Sequence, residues 1–304
     1  MPASASRGKV GRMRRIGAIF TPYSPPEALH DAAQAADEAG LPELWLWEDC
    51  FRESAFAAAS AVLAWTTRLR VGIGVAPMPL RNVALTAMEI ATVERLFPGR
   101  LIPGVGHGVL PWMGQVGARV ASPLTLMREY VPGLRSLLAG EEVTTSGRYV
   151  SLDQVRLDWP PDQAPAVMVA GEGPKTVRLT GQVGDGTVLP AGSTPDRVAR
   201  TLALALEGRT DAGRDGNHEL IVFVSTAFGG DAARGRLAED LLRSTDEVDP
   251  ALMVVGDADG VAAAIEPFFA AGATSVILQP LEAETDLTTF MAAAADVSRL
   301  VGDG

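Results

Sequence analysis

Cysteine is almost absent: the 304-residue chain has one, Cys50. A single thiol excludes an intrachain disulfide and any cysteine-rich metal site, and it fits a reducing, cytoplasmic setting. Histidine is nearly as scarce, with only His30, His107 and His218. Aromatic residues make up 6% of the chain and no basic patch accompanies them. A formal net charge of −11 then argues against nucleic acid or an anionic membrane as partner, since either would be repelled. No run approaches the roughly 18 consecutive apolar residues of a membrane span. The HExxH zinc signature, the GxSxG nucleophile elbow and the Walker loop are also missing. Metalloprotease, hydrolase and P-loop chemistry lose their footing with them.

What the chain does have is 47% hydrophobic residues, enough to fill a large core. Residues 1–12 are small, polar and basic, and are expected to be a disordered tail, with Met13 the natural start. Arg14-Arg15 has the look of a twin-arginine export signal. The apolar run that follows, Ile16 to Phe20, is shorter than the roughly 7–15 residues of an export core and reads as a first strand. One domain is expected over residues 13–304.

Short β-branched runs then alternate with alanine- and leucine-rich helical stretches. Strands are predicted at Ile16–Phe20, Glu43–Trp47, Leu69–Gly74, Leu101–Val105, Ala166–Ala170, Gly186–Leu189, Leu220–Ser225 and Ser275–Gln279. Runs that are apolar on both faces and bounded by turn residues suit parallel strands covered by helices. Ser24-Pro25, Ser122-Pro123 and Thr194-Pro195 each place a capping hydroxyl before a proline, and Gly40, Gly140 and Gly272 stand where helices should stop. Eight such units point to a (β/α)8 TIM barrel. An open doubly wound sheet would more often carry a glycine-rich fingerprint after its first strand, where this chain has Thr21-Pro22-Tyr23. Val143 to Trp159 is predicted as a hairpin inserted before the fifth strand, and Asp231 to Pro250 as a helical excursion after the seventh. Pro132-Gly133 is expected to kink or split the fourth helix.

In such a barrel the residues just past each strand are the functional candidates. The second strand leaves Glu48-Asp49-Cys50, whose carboxylate pair can act as acid, base or hydrogen-bond acceptor. The third leaves Gly74-Val75-Ala76. The fourth leaves Gly106-His107-Gly108-Val109, where two glycines clear the backbone for a flat ligand while one imidazole is presented to it. The fifth ends in Ala170-Gly171-Glu172-Gly173-Pro174-Lys175-Thr176. A glycine turn entering a helix with proline in its first turn makes an anion site from backbone N–H groups. Lys175 adds a point charge there or simply faces solvent. Each motif alone has a plainer reading as a tight or solvated turn; their recurrence at successive strand exits favours a site.

Together these residues resemble the bacterial luciferase-like superfamily of flavin- and deazaflavin-dependent oxidoreductases, from about Arg14 to Leu300. The resemblance is carried by Ala36-Asp37-Glu38-Ala39-Gly40 leading to Trp45-Leu46-Trp47-Glu48-Asp49-Cys50-Phe51, and by Gly99-Arg100-Leu101-Ile102-Pro103-Gly104-Val105-Gly106-His107-Gly108. Gly173-Pro174-Lys175-Thr176 with Gly184-Asp185-Gly186, and Ala271-Gly272-Ala273-Thr274 leading to Leu278-Gln279-Pro280, complete it. Around Gly106-His107-Gly108 and Trp112-Met113-Gly114-Gln115 the chain is most similar to actinobacterial oxidoreductases using the 8-hydroxy-5-deazaflavin coenzyme F420.

That resemblance implies a cofactor across the barrel mouth, its ring over Glu48, Asp49, Cys50, Gly74, Val75, Ala76, Gly106, His107, Gly108 and Val109. Its phosphate would lie at Ala170, Gly171, Glu172, Gly173, Pro174 and Lys175. It also implies a cis peptide at Gly74-Val75 and a homo-oligomer, specifically a homodimer. Asp49 and His107 are the expected catalytic residues, Asp49 holding ring or substrate and His107 contacting the cofactor or delivering a proton. The first functional reading is F420-dependent hydride transfer to or from a small organic substrate. The alternatives are a two-component monooxygenase using flavin mononucleotide (FMN) and a non-catalytic flavin- or deazaflavin-binding protein. Sugar-phosphate dehydrogenases of the group have histidine where this chain has Cys50 and glutamate where it has Val109, so that activity is not expected.

Overall fold

Strands built from Val, Ile and Leu with both faces apolar need cover on both sides, and the chain supplies it with helices between successive strands. The computed structural model describes residues 14–243 and 246–302, so the expected tail and the start at Met13 lie outside the described residues. The order is β1 (Arg15–Phe20), α1 (Leu29–Ala39), β2 (Glu43–Leu46), α2 (Ala55–Trp65), β3 (Arg70–Ile73), β4 (Ala76–Pro77), α3 (Val83–Leu96), β5 (Leu101–Ile102) and β6 (Gly104–Gly106). There follow α4 (Leu110–Gln115), α5 (Pro123–Leu138), β7 (Val143–Ser146), β8 (Ser151–Val155), β9 (Met168–Ala170), α6 (Pro174–Val183), β10 (Gly186–Leu189) and α7 (Pro195–Asp211). The last elements are β11 (Glu219–Phe228), α8 (Asp231–Leu241), β12 (Val254–Gly256), α9 (Ala258–Ala270), β13 (Ser275–Pro280) and α10 (Leu287–Gly302).

The main strands form one curled parallel sheet in the order β4-β6-β9-β10-β11-β13-β1-β2-β3-β5, with β12 added to β11. β3 pairs with β5 and β4 with β6, so the two ends of that path lie in the same pair of chain segments. β7 and β8 form a separate antiparallel pair. Inside the curl, Ile19, Trp45, Ile102, Met168, Val188, Ile221, Phe223 and Ile277 pack as one cluster, while a larger apolar layer lies between sheet and helices. Trp45 dictates its neighbour: a Cβ on Gly72 would sit 2.2 Å from the indole ring. Its Nε1 donates to Glu43, which is 1% exposed and faces Arg15 and Arg70, each at 3.1 Å. Burial pushes the Glu43 carboxyl up, and the two arginines pull it back. A cavity of about 570 Å³ opens at this N-terminal end of the strands, but its central charges pair with one another.

Several local expectations are corrected. Pro132 does not split its helix: α5 runs unbroken through it. One missing N–H removes one bond, and an apolar face buried through Tyr130, Val131, Leu134, Leu137 and Leu138 holds the rest. Ser24-Pro25 does not open α1 directly, because a three-residue 3₁₀ turn, Pro26–Ala28, comes first without a side-chain cap. Ser122 and Thr194 do cap their helices, accepting from Thr125 N and Arg197 N at 3.3 Å. β12 was not anticipated; three residues are too few to show a period, and its position comes from pairing with the end of β11.

Asp37, at the end of α1, shows what one of the family motifs is for. Its carboxylate accepts from Thr67 N at 3.0 Å, Thr67 Oγ1 at 3.1 Å, and Arg68 N and Leu69 N at 2.9 Å, tying α1 to the start of β3. Burial works to raise its pKa, but these donors prevail and hold it below the usual carboxylate value. A group whose folded pKa is depressed adds stability above its unfolded value and loses it as the pH falls through the folded one. Asp37→Ala should therefore cost about 3 kcal/mol at neutral pH, as hydrogen bonds to a charged group are worth about 1.5–3 kcal/mol each and some are recovered by water. Urea denaturation at pH 7 and below pH 3 checks it: the gap between wild type and variant should shrink in acid.

Candidate active site at the C-terminal ends of the strands

Where the strands end, a cavity of about 350 Å³ is walled by the segments that follow β2, β3, β6, β9 and β10. β2 delivers Trp47, Glu48 and Asp49; the break between β3 and β4 delivers Gly74 and Val75, with Pro77 beyond. His107, Gly108 and Val109 follow β6, and Ala170, Gly171, Glu172 and Gly173 end β9 and lead into α6. The Gly74-Val75 peptide is cis, as the resemblance implied, and so is Cys50-Phe51, which was not foreseen. Two glycines are set by the geometry. A Cβ on Gly106 would lie 2.7 Å from Val75 Cγ2, and Gly108 has φ +70°, the left-handed turn that aims the chain from His107 into α4.

The floor is apolar and aromatic. Trp47 stacks on Phe223 with ring centres 6.4 Å apart and planes 24° from parallel, beside Val75 and Val188. The Trp47 indole N–H is buried and has no partner among the described residues. At the opposite side α6 begins with Gly173 at its N-cap and Pro174 in its first turn, with no side chain capping the first N–H groups. A Cβ on Gly173 would meet nothing within 4 Å, so the approach to this helix end is open space. Uncapped N–H groups at a helix start favour an anion.

The charged side chains divide into engaged and free. Glu48 lines the cavity, but its carboxylate is held by Arg81, whose Nη2 donates at 2.8 Å, and by Ala55 N at 2.9 Å. Arg81 also donates to Glu89 at 3.1 Å. Glu48 thus braces the β2 exit rather than offering itself to a ligand. Glu172 is paired with Arg197 at 2.9 Å. Asp49 has no hydrogen bond to its carboxylate among the described residues; burial raises its pKa, Arg52 opposes this and Glu53 adds to it. Burial lowers the pKa of His107, with Glu172 working the other way, so the imidazole is neutral at pH 7.

Eleven of the sequence-predicted residues meet at this cavity: Glu48, Asp49, Gly74, Val75, His107, Gly108, Val109, Ala170, Gly171, Glu172 and Gly173. Five do not line it. Cys50 lines an adjoining groove with Phe51, Arg52 and Arg81, and its thiol is pushed up by burial and by Glu48 and Asp49. Ala76 and Gly106 are spent on the β4–β6 pairing, and Pro174 and Lys175 are exposed on the first turn of α6. Thr176, the last residue of the fifth exit motif, lines the cavity too, and so do Pro77, Trp47, Trp112, Val188, Pro190 and Phe223, of which the last three lie in no motif singled out from the sequence. The strand-exit rule applied to Gly186–Leu189 would have found Pro190, but not Val188, which lies inside that strand. Phe223 gave no signal, because β11 is buried on both faces and alternation cannot say which side chains turn inward.

Comparison with known proteins places this geometry. The model of the luciferase-like monooxygenase family matches residues 13–236. The chain is 29% identical to an F420-dependent glucose-6-phosphate dehydrogenase of Kineococcus radiotolerans, covering 83% of this chain and 86% of that one. It is 26% identical to a 5,10-methylenetetrahydromethanopterin reductase of Methanolobus tindarius, covering 75% and 69%. Among solved structures, an F420-dependent secondary alcohol dehydrogenase in complex with an F420–acetone adduct superposes with TM-score 0.81 at 22% identity, over 95% of this chain and 99% of the other. That superposition shows a shared fold. With the family model spanning most of its length, the chain belongs to the luciferase-like monooxygenase family.

Proposed function

We propose that this protein is an F420-dependent oxidoreductase that transfers a hydride between the deazaflavin and a small organic substrate at the mouth of the cavity. The observation that carries this reading is the pairing of an apolar aromatic floor with an uncapped, open helix N-terminus at one 350 Å³ cavity. A flat ring with a phosphate-bearing tail fits that pairing, and the buried, unpartnered N–H of Trp47 marks polar capacity beside the floor that the protein itself leaves unused. The F420 dependence of a relative aligned over most of both chains supports the choice of cofactor. In the same reading the curled sheet is a closed (β/α)8 barrel, with β3/β4 and β5/β6 each counting as one strand, and residues 13–304 act as one domain.

When bound, the deazaflavin supplies a carbon in place of the central flavin nitrogen, which exchanges hydride and reacts poorly with oxygen. The rest falls to the chain. Val75, Val188, Trp47 and Phe223 exclude water beneath the ring, and the N–H groups at Gly173 and the start of α6 take the phosphate. Asp49, with its raised pKa and a carboxyl that no hydrogen bond engages among the described residues, moves the proton that balances the hydride at the substrate. His107 contributes a neutral imidazole that hydrogen-bonds ring or substrate.

Fluorescence titration should show tighter binding of F420 than of FMN; tighter binding of the mononucleotide reverses the cofactor assignment in favour of the monooxygenase. Gly173→Val should weaken F420 binding at least tenfold, about 1.4 kcal/mol, because the new side chain fills the open approach to α6. Its melting temperature should stay near wild type, and unchanged affinity would move the phosphate elsewhere. His107→Asn should slow single-turnover oxidation of the reduced cofactor at least fivefold or weaken its binding to the same degree; equal rates and affinities return His107 to a turn. In proton NMR the His107 ring should titrate below 6.5, since burial disfavours its charged form. A midpoint above that value contradicts the burial.

A further inference from the structure

We infer that the substrate of this site is uncharged and mainly apolar, a carbonyl, imine or conjugated enone compound, and that phosphorylated or carboxylated compounds are rejected. The inference rests on the cavity being the redox site described above. Its first support is the state of the cations. No lysine or arginine lines the cavity among the described residues, and the arginines near its rim are engaged. Arg81 is held by Glu48 and Glu89, and Arg197 by Glu172. Arg52 donates to the Pro22 carbonyl at 2.7 Å and lies 4.6 Å over the Tyr23 ring.

The anionic side is not balanced in the same way. Asp49 reaches the cavity with a carboxyl that no hydrogen bond engages among the described residues, whereas Glu172 at the wall is paired with Arg197. His107 brings no compensating charge at pH 7, since burial keeps it neutral. The uncapped start of α6, with Lys175 exposed on its first turn, attracts an anion, and in the proposed reading the cofactor phosphate takes it. Away from that helix end an anionic substrate would meet the Asp49 carboxylate with no lining cation among the described residues, in a partly desolvated space where charges are poorly screened.

The second support is apolar surface at the rim. Val109 and Leu110, on the turn into α4, are 44% and 43% exposed, and Trp112 of the same helix lines the cavity. Val109 and Trp112 carry the apolar lining out to the rim, as a resting place for the body of an apolar substrate. In reduction, the hydride adds to the electrophilic carbon and the π pair of C=O or C=N passes to the heteroatom. For an enone the hydride adds at the β carbon and the proton ends on the α carbon. A proton drawn from solvent and passed through Asp49 completes the new bond, and oxidation of the reduced deazaflavin balances the two electrons.

The test uses cyclohex-2-enone and 4-oxocyclohex-2-ene-1-carboxylate, which share a ring and differ in charge. Equilibrium dialysis against protein saturated with oxidised F420 should show the neutral ketone binding at least tenfold more tightly. Single-turnover oxidation of reduced F420 should favour it by a similar factor. Asp49→Asn, with its fold checked by circular dichroism, should narrow the difference in affinity to less than threefold. Equal affinity, tighter binding of the carboxylate, or binding of neither overturns the inference. Failure of F420 itself to bind strikes instead at the redox assignment on which it rests.

Discussion

Trp45 fills the inside of the curled sheet, and much of the rest of the structure is arranged around it. Its indole lies where side chains at Gly72 and Gly74 would be, so β3 carries no bulk on its inner face beside that ring. Gly74 is also crowded by Phe223, whose ring meets Trp45 edge-on at 5.6 Å and stacks under Trp47 on the other side. One contact series therefore runs from the centre of the curl to the cavity floor. The chain then breaks from β3 at Gly74-Val75 and pairs again as β4 with β6, which brings Val75 to that floor and leaves Gly106 no room for a side chain. Close packing of this kind transmits position: the floor is as fixed as the core beneath it.

The two ends of the sheet use charge in opposite ways. At the N-terminal end Glu43, Arg15, Arg70 and Glu219 neutralise one another around a cavity larger than the functional one, and this cluster serves the fold. At the C-terminal end Glu48 and Arg81 lock the β2 exit, while the carboxyl of Asp49, one residue along, has no hydrogen bond among the described residues. A carboxylate held still beside one without a hydrogen bond lets the loop present Asp49 in a fixed place, as the proposed proton transfer requires. Neighbouring residues of one motif thus do unlike work.

Much of this was legible in the residues. Each of the eight runs apolar on both faces falls on the curled sheet, the fourth as two pieces, β5 and β6, and the exits of four of them named most of the cavity wall. Asp37 and Gly40 lie in a motif that carries the family resemblance, and both turn out to serve the fold. Asp37 ties α1 to β3, and Gly40 ends the helix at φ +81°. What escaped had physical reasons. Pro132 looked disruptive because local propensity counts one lost bond and not the buried face that outweighs it. Cys50, which the family resemblance placed under the ring, lines the adjoining groove and not the cavity.

The sequence by itself determined the alternation of strands and helices, the places where helices stop, and the strand exits where chemistry gathers. Each of these depends on local periodicity, capping and turn stereochemistry, which a few consecutive residues carry. Only the tertiary structure decided which charges stay free. Whether Glu48 or Asp49 faces a ligand depends on Arg81, 33 and 32 positions away in the chain, and on α2 closing over one carboxylate and not the other. It also decided that Phe223 and Trp47 make the floor, because the inward face of a strand buried on both sides is chosen by the partners it packs against.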